Sequence, residues 1–179
     1  MPKTENDFPL NSKQVMALLQ LALSTYHEQA GKSLNAGAPL ASCVMLGATV
    51  EAVLTVVTCL LYDDAVKTGK APKQGEKTKD LLDWSFYELL DVAKAANWLP
   101  KRLTLDKRLD RAHVKTVPTD TIRKVRNLVH PARYLKERSG KEYTVEEVHT
   151  LYATCHAAYD CLVNQIRVRY PHLGAFKSF

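Results

Sequence analysis

A chain of 179 residues, 46% of them apolar, is long enough for a single domain with its own core, so neither disulfides nor a structural metal is required. Cys43, Cys59, Cys155 and Cys161 form no C-x-x-C pair and each falls on an apolar helical stretch, which predicts reduced, buried, inert thiols. The net charge of +6 is concentrated: residues 101–141 hold thirteen Lys or Arg against four acids, a balance of +9 that leaves −3 for the rest.

In chain order, residues 1–11 are polar, mixed in charge and without an apolar run, and are expected to be a short tail rather than an export signal. With Ser12 as N-cap, Val15, Leu18, Leu19, Ala22, Leu23 and Tyr26 repeat at helical spacing, predicting an amphipathic helix that ends near Gly31. A Gly/Asn/Ser/Pro-rich loop is expected over 31–39. From Pro39 to Val66 the residues are apolar nearly all round, and Glu51 is the only charge between Lys32 and Asp63. That pattern belongs to a central buried helix or to a membrane span. The mid-helix Glu51 would cost about 2.5 kcal/mol or more in a bilayer, so the buried helix is favoured and no membrane partner is expected. Glu51 has two readings: a structural pairing with an arginine, or support for a nearby functional site.

Lys67 to Lys79 reads as a polar surface loop. Leu81 to Trp98 marks a third helix stopped near Pro100, and Leu103, Leu105, Leu109 and Val114 suggest a shorter basic helix before Pro118. Thr119 to Leu135 is read as a further helix with a break at His130, where Pro131 disfavours helical geometry. Thr144 and Glu147 form a capping box for the last helix. Its seam of Val145, Val148, Tyr152, Cys155, Tyr159, Leu162 and Ile166 calls for one or two long partner helices, in this chain or in a second copy. No stretch shows the alternation of a sheet. The expectation is an all-α, single-domain bundle of about five helices over 12–170, with a C-terminal tail over 171–179.

The chemistry centres on Ile122-Arg123-Lys124-Val125-Arg126-Asn127-Leu128-Val129-His130-Pro131. On a helix, Arg126 and His130 share a face and Arg123 lies two turns before His130, while Ile122, Val125, Leu128 and Val129 can dock on a core. The result is a cationic stripe ending in a histidine, with the polar Asn127 between. Histidine titrates near neutral pH and serves as acid or base, and arginine binds phosphate oxygens bidentately. Together with the basic block, these residues point to RNA or another phosphate-bearing ligand. No metal-ligand spacing, Gly-rich phosphate loop or nucleophile elbow occurs, and neither cofactor nor metal is expected.

This run resembles the signature of HEPN domains, all-helical modules marked by an arginine, a short spacer and a histidine. Arg126 to His130 has three intervening residues, one fewer than the usual four to six, and Arg123 to His130 has six, so either arginine could be the functional one. The helical segments Leu46–Leu54, with Glu51, and Phe86–Ala96 are also similar to the family. The resemblance implies a homodimer that joins two Arg/His sets in one cleft. It also implies a metal-independent endoribonuclease of toxin or phage-defence type, for which an antitoxin or another partner protein is a candidate partner; the reduced cysteines and the lack of an export signal give the cytoplasm as the expected location. The alternative is a non-catalytic module that binds nucleic acid, a nucleotide or a protein.

Overall fold

The fold is built around the apolar stretch that follows Pro39. In the computed structural model, which describes residues 8–106, 116–128, 136 and 143–171, this stretch forms a helix over Pro39–Leu60 with proline in its first turn, where a missing N–H costs nothing. Thirteen of its 22 residues are buried, Leu46, Val50, Val53, Leu54, Val56 and Val57 completely. Its hydroxyls are satisfied within the helix or by a neighbour. Thr49, Thr55 and Thr58 donate to the carbonyls of Met45, Glu51 and Leu54 at 3.1, 3.0 and 2.8 Å, and Ser42 donates to Ala30 O at 2.6 Å. Among the described residues it is the one helix apolar and long enough to cross a membrane, yet 72% of its most apolar window is buried by the rest of the chain. It is a core helix.

The helices around it follow in chain order. The first, α1 (Ser12–Gln20), is capped by Asn11, whose side chain accepts from Gln14 N while the Gln14 side chain returns the bond. It continues without interruption through a π-helical run, Leu21–His27, into α2 (Glu28–Asn35). Helix therefore extends beyond the expected end at Gly31, and the connection to the central helix shrinks to three residues, with Gly37 at φ +74° supplying the turn. Residues 8–10 do not behave as free tail. Leu10 is 3% exposed, and its carbonyl receives the Cys59 thiol at 3.8 Å.

The central helix is α3. It breaks at Leu61, where φ/ψ of −110°/32° leave the helical region, and α4 (Tyr62–Lys67) follows. The surface loop expected next contains a small antiparallel pair, β1 (Lys73–Gln74) and β2 (Lys77–Thr78), turned at Gly75 with φ +66°. The third predicted helix is split: a 3-10 turn, Leu81–Asp83, precedes α5 (Phe86–Ala95), whose capping box is Ser85 with Glu88. Trp84 sits at the joint, 5% exposed, its indole N–H bonded to Lys79 O at 3.0 Å.

The basic helix expected after Pro100 is not what Leu103 builds. Leu103 lies in β3 (Arg102–Thr104), antiparallel to β4 (Thr116–Pro118), with Leu103 opposite Val117. Both are buried while their neighbours face solvent; residues 107–115 lie outside the described part. A 3-10 turn, Thr119–Thr121, then leads into α6 (Ile122–Asn127). The last helix, α7 (Val145–Arg169), has the predicted capping box of Thr144 and Glu147. Its seam from Val148 to Ile166 is buried as expected, except that Val145 at its start is 61% exposed. Its principal partner is α3, so both long helices belong to one chain and one core. The domain is all-α, with two small antiparallel pairs as its only sheet among the described residues.

Candidate functional site on helices α5 and α6

Helix α6 is docked by its apolar residues. Ile122 and Val125 are 0% and 3% exposed and face α3 across Gly47, where an added Cβ would lie 2.6 Å from Val125 Cγ1. The glycine is what lets the two helices come this close. Arg123 leaves α6 in another direction, toward α5, whose residues Tyr87, Asp91 and Lys94 recur at helical spacing on one face.

There Arg123 is held on three sides. Its Nη2 is hydrogen-bonded to Asp91 Oδ1. Its Nε lies 3.0 Å from Asp120 Oδ1 without the alignment of a hydrogen bond, so that contact is Coulombic. Its guanidinium carbon stands 5.1 Å from the centre of the Tyr87 ring. Lys94 closes the network, 2.7 Å from Asp120 and 3.0 Å from Asp91. Two cations and two carboxylates thus balance. The bond from Lys94 holds the Asp120 carboxyl below its ordinary value, burial opposes, and the nearby charges of Arg123 and Lys94 reinforce the shift.

Asn127 is 6% exposed, and its Oδ1 accepts from the Tyr87 hydroxyl at 3.2 Å. Tyr87 therefore joins two of the residues singled out in the sequence, stacking on Arg123 and bonding Asn127. Reading the sequence for charge missed Tyr87. The signal was present in the spacing Tyr87-x3-Asp91-x2-Lys94, which sets these three on one face of the helix. Asn127, expected between the functional groups, is instead a buried anchor of α6 against α5.

Glu51 lies on α3 at the junction of two cavities. The smaller, about 70 Å³, is lined by Gly47, Glu51, Phe86, Ile122 and Val125 among others, so Glu51 borders the apolar side of the helix that carries Arg123 and Arg126. Arg126 belongs to α6 by its backbone; its side chain and His130 lie outside the described residues. Among the described residues no three His, Cys, Asp or Glu side chains converge as a metal site. Of the thiols, Cys43, Cys59 and Cys155 are buried and Cys161 is half-buried, and burial pushes the Cys43 pKa up to about 12.

A second group of titratable residues joins the π-helical run to α7. His27 stacks on Tyr159 with ring centres 5.3 Å apart and meets His156 edge-on at 5.6 Å. Burial and then the neighbouring His156 lower the His27 pKa, against an opposing pull from Asp160.

What this fold and surface define is an all-α domain with a charge-balanced clamp holding a short arginine-bearing helix. Compared with known proteins, the chain matches no family model, no curated protein and no solved structure.

Proposed function

We propose that the protein is a HEPN-like domain that cleaves RNA without a metal, by attack of a ribose 2′-hydroxyl on the adjacent phosphate. In this reading His130 takes the proton of the 2′-hydroxyl and delivers it to the leaving 5′-oxygen as the P–O5′ bond breaks, and Arg126 binds the phosphate oxygens. Arg123 is a positioning residue. The observation that carries this division is the balanced network: the charge of Arg123 is already met by Asp91 and Asp120, which leaves the phosphate to Arg126. The excess of cations over 101–141 supports a polyanionic substrate. Two copies would bring two such sets to one cleft in the cytoplasm, with an antitoxin or another partner protein as the natural restraint.

The test is cleavage of RNA in EDTA by the wild type beside His130→Ala and Arg126→Ala, with product ends identified. Products ending in 2′,3′-cyclic phosphate, and a loss of at least 100-fold in either variant, are the expected result. Equal cleavage by wild type and His130→Ala overturns it.

A second reading, a module that binds nucleic acid, a nucleotide or a protein without turnover, is favoured by the three-residue spacing of Arg126 and His130 and by Pro131, which disfavours helical geometry at the histidine. Salt-sensitive RNA binding without any product is the outcome that selects this reading.

A further inference from the structure

We infer that the larger cavity beside α3 is a binding site for a small organic cation, a protonated amine on an apolar or aromatic body. The cavity holds about 290 Å³, near the lower limit of ligand pockets, and lies between α3, α1 with its π-helical run, and the 3-10 turn and start of α5. Two of the α3 residues on its wall, Ala48 and Ala52, are short and leave it room. Leu82, 54% exposed, stands at its rim.

The class of ligand follows from the polar groups. Glu51 is the one charged side chain in the lining, in a protein whose net charge is +6. A carboxylate offers about four acceptor positions, so Glu51 can accept from a ligand in addition to any bond within the protein. Thr55 gives its proton to Glu51 O at 3.0 Å and presents only acceptor lone pairs to the cavity. The aromatic wall is Tyr26 and Trp84. Trp84 has spent its N–H on Lys79, so it offers ring surface rather than a donor. A carboxylate together with aromatic surface in one lining fits an ammonium donor with an apolar body. The π-helical run adds an independent pointer: such segments cluster at functional sites, and this one carries Tyr26 on the cavity wall.

The experiment titrates the full chain with phenethylammonium and with its neutral isostere 2-phenylethanol, following the methyl signals of Leu18, Leu81 and Leu89 by NMR. The expected result is shifts at these methyls, with the cation binding at least tenfold more tightly than the alcohol. Glu51→Gln should erase that preference, and Ala52→Leu, which fills the cavity, should abolish binding of both. Equal affinity for cation and alcohol in the wild type overturns the inference without any variant. So does an absence of shifts at these methyls, or binding that survives in a folded Ala52→Leu protein.

Discussion

Arg123 looked in the sequence like a free member of a cationic stripe, and the structure gives it two carboxylates and an aromatic ring. Helical spacing sets which residues share a face but is silent on what the next helix brings to it. Asp91 and Tyr87 lie more than thirty residues upstream, and only the packing of α5 against α6 makes them partners. Arg123 is about 29% exposed and Asp91 50%, so solvent screens the pair. A double-mutant cycle of Arg123→Gln and Asp91→Asn, read by urea unfolding, should give a coupling of about 0.5–1 kcal/mol that shrinks in 1 M salt. A coupling near zero would mean that the clamp does not hold α6. Glu51 was legible as the odd charge in an apolar helix, and its place on cavity walls follows from that isolation.

At the level of elements, the helix starts were readable where a cap is chemically explicit. Ser85–Glu88 and Thr144–Glu147 form reciprocal bonds, and only the second was recognised from sequence. The first helix was placed one residue late because Asn11, not Ser12, caps it. The strands escaped notice because two or three residues carry too little alternation to register, and β3 pairs with a segment twelve residues further on. Gly47 has the sharpest consequence at this level. The Val125 methyl that an added Cβ would meet belongs to a β-branched side chain with little freedom to move. Gly47→Ala should therefore destabilise by about 1–2 kcal/mol even though alanine is the better helix former. Combining it with Val125→Ala should cost less than the two changes added together. A stabilised Gly47→Ala protein in a thermal melt would show that α6 yields freely.

For the whole molecule, the apolar stretch after Pro39 announced both the helical class and the central helix, because no other segment could serve as a partner for so many amphipathic faces. The pH response belongs to this scale, since it sums groups on different helices. His27 has a folded pKa below its ordinary 6.5. The unfolded chain takes the proton first, so stability is full above about 6.5 and falls as pH drops through the window beneath it. Asp120 has a carboxyl held below its ordinary 3.8. It contributes above that value, and its contribution is lost as pH falls through the lower, folded one. Melting temperature should thus decline in two steps on acidification, and His27→Gln should remove the upper one. An upper step that survives in His27→Gln would assign it elsewhere.

The pairing of α3 with α7 also sets an order of events during synthesis. Some eighty residues separate the end of α3 from the start of α7. At ordinary rates of translation, about 5–20 residues per second, the most apolar helix of the chain is finished roughly 4–16 seconds before its main partner begins to be made. At the start of that interval α1 and α2 are the shelter available to it, and α5 and α6 join before α7 is made. The first helices with α3 are thus the part of the fold that synthesis completes first, and α7 is the piece that completes the burial of α3.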